Sequence, residues 1–398
     1  FLNSYYKINS YRPYPMLSNF TAHILPQVPG PGATKRKQQL SFHFKIPENM
    51  ALKHGLYCRY VITVLGFLLL LQPARAQYDW SELDASLEQQ KQLLGKNLVA
   101  MVWKGDSLVF KKEIGDFTAK TKAPIASCSK WLTAALVLQF VDEGKISLDD
   151  YVAKYIPEFE KYFKKYITIR QCLSHTTGIT DDDKFLRRIL QRRKYNSLEE
   201  EVNDFAAREI RANPGTDFWY GNVGLNIAAR VLEVVSKRKF DVLIKTKLFN
   251  PLGMRNTSFS TLDGSAVNPS GGAVSTPEDY MRFLVMLLNK GKYNGVQVLS
   301  ENAVAEMLKV QTRQDMIKFT PQAAKGFNYA SGCWVLEEKN GSGTVVASPG
   351  LFGTWPMIDY CRGYAYLVFV KNLLGEERAD AQLGLKKAVD SQFPAVCR

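Results

Sequence analysis

The sequence predicts an α/β protein of the α+β kind: an antiparallel sheet built from both chain ends, flanked by helices, with an inserted, mostly helical lobe. The first observation is two alternating segments, 97–103 and 107–114, separated by Lys-Gly-Asp at 104–106, which is typical of a β-hairpin. The second is the return of strand-like patterns between residues 332 and 370. The third is the predominance of helical patterns between these regions, with the lobe at about 150–265.

The predicted helices of the first half follow from spacing and stop signals. Residues 80–94 have the spacing of an amphipathic helix. A strongly apolar helix begins at Ser127 and stops at Glu-Gly, residues 143–144. A further helical patch is predicted at 147–157, where it ends at a proline.

The predicted elements of the second half close the sheet. Ser-Thr-Pro-Glu at 275–278 combines a cap residue, a proline at the first helical position and an acid, so a helix is predicted from there to 290–291. Residues 379–391 are predicted to form a closing helix. The strand-like segments are 332–337, 344–347, 354–359 and 364–370.

The N-terminal part of the chain predicts export. Residues 1–49 are rich in Tyr, Pro, Asn and basic residues without a period, so we interpret them as an upstream or disordered segment. Residues 50–76 have the layout of a secretory signal peptide, with a basic start, an apolar run and Ala-Arg-Ala at the end. After cleavage near Ala76/Gln77, residues 77–398 would form the folded domain in the periplasm or outside the cell.

The charge argues against nucleic acid as a partner, and the apolar run argues against a stable membrane anchor. The net charge is +14, of which residues 1–76 hold +8, so only +6 remains on the domain. That mild charge does not predict nucleic-acid binding. The apolar run at 60–71 is shorter than the roughly 20 residues that a membrane span needs, so no stable membrane anchor is expected.

The histidine count restricts the chemistry. Three of the four histidines precede residue 77, so His175 is the one histidine of the domain. A Ser-His-Asp triad would have to use it, and histidine-based metal sites are excluded. The sequence also contains no Cys-x-x-Cys and no phosphate-cradling glycine loop, so neither a metal nor a cofactor is expected.

The cysteines do not predict a complete disulfide framework. Five remain in the domain, an odd count for an exported protein. Cys128 and Cys172 lie in apolar motifs, and we interpret them as buried thiols. A pair between Cys361 and Cys397 is left open.

Ser127 and Lys130 are the first candidates for catalysis. Residues three apart on a helix share one face, so the Lys130 amine can reach the Ser127 hydroxyl. A serine is a weak nucleophile until an adjacent base accepts its proton, and this spacing supplies a base. The same pattern occurs on solvated helices, but the apolar run that follows Lys130 is a poor setting for a solvated lysine.

Tyr220 and Asn222 are the second pair of candidates. They follow an aromatic run and precede an apolar helical segment. A tyrosine hydroxyl near a lysine ammonium can have a lowered pKa and accept a proton. Asn222 can position a substrate amide or bind Lys130, whereas the alternative for Tyr220 is a place in the core.

The order of these motifs resembles the serine β-lactamase and penicillin-binding protein superfamily, in its class C-like branch of serine hydrolases. The resemblance covers nearly all of residues 77–398. It implies a β-lactamase/transpeptidase-like fold for the predicted sheet and helical lobe. The motifs that carry it are at 125–130, 141–150, 167–178, 214–222, 251–254 and 271–276.

The resemblance implies a role for each candidate residue. Ser127 would be the acylated nucleophile. Lys130 would accept its proton or lower the pKa of Tyr220, and Tyr220 would act as the general base and return a proton to the leaving group. Asn222 would orient the substrate and Lys130. His175 would be a structural residue rather than the base.

The third motif departs from the family pattern. Where the family carries Lys-Thr-Gly or a related sequence, this chain has Ala-Ser-Pro-Gly-Leu at 347–351, so Ser348 replaces a cation. That cation would bind a substrate carboxylate through a charge-assisted bond. Ser348, Gly350 and Leu351 are still expected to line the substrate site, with the backbone N–H groups of Ser127 and Leu351 as the oxyanion hole.

These observations predict an exported serine hydrolase that forms an acyl-enzyme on Ser127. An esterase or D-amino-acid peptidase is favoured over an efficient β-lactamase, because Ser348 lacks the charge that would bind the β-lactam carboxylate through a charge-assisted bond. The expected substrate is a small ester, amide or peptide, or a cell-wall fragment. The alternative is a catalytically weak or inactive penicillin-binding-like protein that binds cell-wall or peptide ligands.

Overall fold

A seven-stranded antiparallel sheet is the framework of the computed structural model, which describes residues 78–180, 195–261, 263–371 and 379–397. The predicted segments 1–49 and 50–76 lie outside the described residues. In chain order the strands are β1 Leu98–Lys104, β2 Ser107–Ile114, β3 Ala123–Pro124, β4 Phe218–Trp219, β5 Ser258–Phe259, β6 Ala273–Ser275, β7 Lys292–Tyr293, β8 Val296–Gln297, β9 Ile317–Phe319, β10 Asn328–Tyr329, β11 Trp334–Lys339, β12 Ser342–Ala347, β13 Trp355–Asp359 and β14 Tyr364–Val370.

The sheet joins the two ends of the domain. Its order is β10-β11-β12-β13-β14-β1-β2, with every neighbouring pair antiparallel. The junction is the pairing of β1 with β14, where Leu98 lies opposite Val370 and Lys104 lies opposite Tyr364. The predicted α+β class, with one sheet built from both chain ends, is confirmed.

The helices cover both faces of this sheet, and seven of the described ones lie between β2 and β5. Their positions near the two chain ends agree with the predicted ones to within two residues. The helices are α1 Ser81–Leu94, α2 Ser129–Asp142, α3 Glu158–Lys161, α4 Ile169–Leu173, α5 Leu198–Ala207, α6 Val223–Ser236, α7 Phe240–Ile244, α8 Asn250–Leu252, α9 Pro277–Leu288, α10 Glu301–Leu308 and α11 Ala379–Asp390.

The helix predicted at 147–157 is wrong. The segment holds only a 3-10 turn, Val152–Lys154. The Asp150 carboxylate accepts a hydrogen bond from the Ser147 backbone N–H at 2.8 Å, and Tyr151 forms an isolated bridge with Thr168. Side chains such as Asp150 offer the backbone local hydrogen bonds that compete with a helix.

The core lies on both faces of the sheet because alternate residues of each strand point to opposite sides. Val99 and Met101 of β1 pack in the cluster that contains α2, α6 and α9. Leu98 and Ala100 pack in the second cluster, beneath α1 and α11. The side chains from Ser129 to Phe140 are all buried, so α2 is a central helix that is enclosed all round.

The five cysteines within the described residues form one disulfide and leave three thiols. Cys361, after β13, is bonded to Cys397 near the C-terminus, which resolves the pairing that the sequence leaves open. Cys128, Cys172 and Cys333 are buried free thiols. Within the described ranges no helix is long and apolar enough to cross a membrane, and no cluster of three metal-ligating side chains occurs.

Gly224 sets the distance between α4 and α6. A Cβ at Gly224 would overlap the carbonyl oxygen of Cys172. Gly384 in α11 is the matched control, because a Cβ there would lie 3.9 Å from Gln90 Nε2, an ordinary contact.

We expect Gly224→Ala to lower the free energy of unfolding by about 1–3 kcal/mol, the cost of overpacking. Gly384→Ala should raise it by about 0.5–1 kcal/mol, because alanine favours helices. Denaturant unfolding of both variants checks this. A stabilising Gly224→Ala would contradict the close approach of α4 and α6.

Candidate active site

Ser127 lies in a strained turn at the start of the central helix. The 3-10 turn Ala126–Cys128 runs directly into α2, and the Ser127 side chain is half-buried. Ala126 has φ +45°, in the left-handed region that a residue with a Cβ avoids. The Ile125 N–H donates to the Ala273 carbonyl of β6 at 3.0 Å, which fixes the entry to the turn.

The Lys130 amine is placed against Ser127, at the predicted spacing. Its Nζ donates to Ser127 Oγ at 3.1 Å, to Asn222 Oδ1 at 3.3 Å and to the Ser270 carbonyl oxygen at 3.0 Å. An ammonium group has three donors, and each of these acceptors lies within hydrogen-bond distance of it. Only 1% of Lys130 is exposed, so the amine is enclosed by the groups that it binds.

Tyr220 is held beside this amine by a strand pair that the sequence analysis did not predict. β4 pairs in parallel with β9, and the Tyr220 N–H donates to the Phe319 carbonyl at 3.1 Å. The Tyr220 ring lies 4.8 Å from Lys130 Nζ and 5.1 Å from the Trp334 ring, centroid to centroid. Ser127, Lys130, Tyr220 and Asn222 therefore lie together, as the sequence analysis expects.

The protonation of Tyr220 differs from the expectation. Burial raises the pKa of its hydroxyl well above the ordinary value, and a hydrogen bond with the Ser127 side chain lowers it only in part. The motif order leads one to expect a lowered pKa because of the nearby lysine. The aromatic surroundings remove water from the tyrosinate form, and this desolvation is the larger effect.

The His175 ring packs against the Tyr220 ring. Its ring centroid lies 4.8 Å from the Tyr220 ring, and its Nε2 lies 3.2 Å from the Tyr329 hydroxyl. Burial first, and then the charge of Lys130, holds the pKa of His175 well below its usual range. A neutral imidazole packed among aromatic rings agrees with the structural role that the resemblance implies.

Two buried residues that the sequence analysis missed hold the third acceptor of Lys130. Asn226 Oδ1 accepts from the Ser270 N–H at 3.0 Å and lies 2.8 Å from the Ser270 hydroxyl. Asn226 Nδ2 in turn donates to the Glu201 carboxylate at 3.2 Å. Asn226 lies one helical turn after Asn222 in α6, and that i, i+4 spacing is the signal that could have identified it.

The third motif lies against the turn that carries Ser127. A Cβ at Gly350 would overlap the Ile125 carbonyl oxygen, so the backbone that leads to Leu351 approaches the turn closely. The buried Ser348 hydroxyl donates to the Gly332 carbonyl at 3.2 Å. Ser348 thus has a backbone partner, and Leu351 follows in a half-buried turn.

A known protein family matches most of the length of this chain. Residues 87–389 match the sequence model of the family described as Beta-lactamase. The chain belongs to the β-lactamase family. This family agrees with the superfamily that the sequence resembles.

Two solved structures share the fold. A candidate β-lactamase from Bacteroides dorei is 29% identical, with a TM-score of 0.69 over 79% of this chain and 100% of that chain. EstCE1, described as a hydrolase with promiscuous acyltransferase activity, is 17% identical, with a TM-score of 0.65 over 77% of this chain and 97% of that chain.

Curated relatives of this family match over a shorter region. Protein flp from Staphylococcus aureus is 29% identical over 169 residues, which cover 40% of this chain and 34% of that protein. The chain thus spans about a third of the length of that curated relative.

Asn226→Leu tests whether the Ser270 carbonyl must be held for Lys130 to act. Removing the amide leaves buried groups unpaired, so the free energy of unfolding should fall by about 1–3 kcal/mol. Ester hydrolysis should also fall about tenfold or more, because a misplaced catalytic group is costly.

The matched control is Gln139→Leu at the far end of α2, where a buried amide donates to the Lys247 and Val298 carbonyls. It should lose similar stability and keep its activity with a chromogenic ester. Equal activity losses in the two variants would refute a specific role for Asn226.

The raised pKa of Tyr220 predicts a neutral hydroxyl across the neutral pH range. Tyrosinate absorbance of wild type minus Tyr220→Phe isolates this residue. We expect no tyrosinate difference below about pH 10, the ordinary value for tyrosine. A difference that develops near neutral pH would show a lowered pKa and contradict the role of burial.

Proposed function

We propose that the chain is an exported serine hydrolase that forms an acyl-enzyme on Ser127 and acts on neutral esters, with amides and peptides as related substrates. The observation that supports this most directly is the 3.1 Å contact between Lys130 Nζ and Ser127 Oγ, beside the Tyr220 ring. A nucleophile with a base in hydrogen-bond reach is the arrangement that covalent catalysis requires.

The proposed reaction passes one proton through the pair of Lys130 and Tyr220. Ser127 Oγ attacks the ester carbonyl while the pair accepts the hydroxyl proton. The C–O bond to the leaving group then breaks, and the alcohol leaves with a proton from the pair. Water repeats these steps on the acyl group and restores Ser127.

The raised pKa of Tyr220 favours one assignment of the proton donor and the proton acceptor within this pair. A hydroxyl that keeps its proton is a donor, so Tyr220 suits delivery of the proton to the leaving group. Lys130, which contacts the Ser127 oxygen directly, then suits the role of proton acceptor. In this assignment Lys130 accepts the Ser127 proton in its neutral form.

Negative charge on the carbonyl oxygen would be stabilised by the backbone N–H groups of Ser127 and Leu351. Each donor of this kind contributes about 3 kcal/mol in the transition state. The close approach of Gly350 to the Ile125 carbonyl supports this assignment, because it ties the two segments together.

The uncharged side chain of Ser348 supports the proposal that the substrate is neutral. Its hydroxyl has the Gly332 carbonyl as a partner and carries no charge for a substrate carboxylate. The fold shared with EstCE1 is compatible with acyl transfer. The same substitution is what supports the alternative, a penicillin-binding-like protein with little turnover.

Export is supported by the predicted signal peptide at 50–76 and by the Cys361–Cys397 disulfide. Disulfides persist in oxidising compartments such as the periplasm and the extracellular space. We propose that the domain acts in one of these compartments.

A chromogenic ester assay tests the proposed roles. We expect Ser127→Ala to reduce hydrolysis to background, because it removes the nucleophile, and Tyr220→Phe to reduce it about 100-fold or more. Ser107→Ala is the control, since Ser107 is exposed at the start of β2.

The substrate preference is tested in the same preparation with a fluorescent penicillin. Slow or absent labelling beside rapid ester turnover is expected. Rapid penicillin labelling would refute the preference for neutral esters, and unchanged hydrolysis by Ser127→Ala would refute the enzyme assignment.

A further inference from the structure

A loop remote in sequence from the catalytic motifs exposes aromatic rings to solvent. We name residues 161–166, which run from the last residue of α3 towards α4, the aromatic loop. Phe163 is 92% exposed and Tyr166 is 60% exposed. Tyr151, 52% exposed, lies beside them, with its ring centroid 6.3 Å from that of Tyr166. Clustered apolar exposure of this kind marks interaction surfaces.

Folding does not explain the identity of Phe163. Its φ is +59°, in the left-handed region, and the Lys164 N–H donates to the Phe159 carbonyl at 2.6 Å across the end of α3. This is the helix-terminating geometry in which glycine is usual. A phenylalanine here strains the backbone and also leaves its ring in water, so the ring serves something outside the fold.

Two exposed lysines lie beside the tyrosine rings of the aromatic loop. Lys161 Nζ lies 5.3 Å from the Tyr162 ring centroid, and Lys165 Nζ lies 5.2 Å from the Tyr166 ring centroid. Glu160 is also exposed and offsets one of these charges. The loop is therefore mildly basic, and its aromatic rings provide most of its binding surface.

We propose that the aromatic loop docks reversibly on the surface of an anionic lipid bilayer. Tyrosine and phenylalanine rings partition into the interface between headgroups and acyl chains, and lysines beside them are attracted to anionic headgroups. Lysine is depleted at interfaces between proteins, which argues against a protein partner. A soluble acidic polymer would use the lysines but would have no use for the Phe163 ring.

The test is co-sedimentation with vesicles, using residues 77–398, because residues 76–398 form a compact unit and the apolar run at 60–71 could itself bind lipid. The domain should sediment with vesicles that contain phosphatidylglycerol and bind those of pure phosphatidylcholine more weakly. Binding is measured without a substrate, so this proposal and the proposed hydrolase activity fail independently.

Phe163→Gly separates docking from folding. Glycine relieves the left-handed backbone, so the melting temperature should stay or rise, while vesicle affinity should fall about fivefold or more as the ring is lost. Val296→Ser removes a 52% exposed side chain from β8 and should bind like wild type.

Two double variants test whether the lysine charges of the aromatic loop contribute to vesicle binding. Lys161→Gln with Lys165→Gln should weaken binding to the anionic vesicles. Lys245→Gln with Lys325→Gln makes the same charge change at other exposed sites and should have little effect.

Three results would overturn docking. They are a wild type that stays in the supernatant at low salt, a Phe163→Gly variant that binds as tightly as wild type, and binding to dextran sulfate without binding to vesicles.

Discussion

The enclosed amine of Lys130 is the constraint on which the rest of the site depends. It donates hydrogen bonds to three separate parts of the chain, at Ser127, Asn222 and Ser270. A buried donor that loses its acceptor costs about 1–3 kcal/mol. Each of these segments is therefore stabilised in the position that also places the amine against the Ser127 hydroxyl, so folding and the geometry of the nucleophile are coupled.

Glycines let the backbone come close enough to maintain that arrangement. Gly332 packs on α2, where a Cβ would lie 3.0 Å from the Lys130 carbonyl oxygen, and its own carbonyl accepts the Ser348 hydroxyl. Gly350 makes a corresponding approach to the carbonyl of Ile125. The third motif is thus packed closely against the segment that carries Ser127, although it lacks the family's cation.

The sequence predicted what depends on local periodicity. The sheet, the central helix and the contact of Ser127 with Lys130 follow from alternation and from helical spacing. The acceptor at Ser270 and its support by Asn226 could not be predicted in this way, because they depend on packing between distant segments. The left-handed backbone of Ala126 was also missed, since alanine gives no signal for it.

The pKa of Tyr220 shows the same limit. Proximity to Lys130 could be inferred from the motif order, but enclosure by Trp334 and Tyr329 depends on the pairing of β4 with β9. Because enclosure has the larger effect, the direction of the shift was wrong from sequence alone. This is why we propose Lys130, rather than Tyr220, as the proton acceptor.

The central claim is that Ser127 is a nucleophile made reactive by Lys130, and fluorophosphonate labelling followed by intact-protein and peptide mass spectrometry tests it most directly. The account predicts one adduct per chain, on Ser127, and labelling about 100-fold slower in Lys130→Met, which keeps the bulk and lacks the amine. Folded wild-type protein with no adduct, or with its adduct on another serine, would contradict the account.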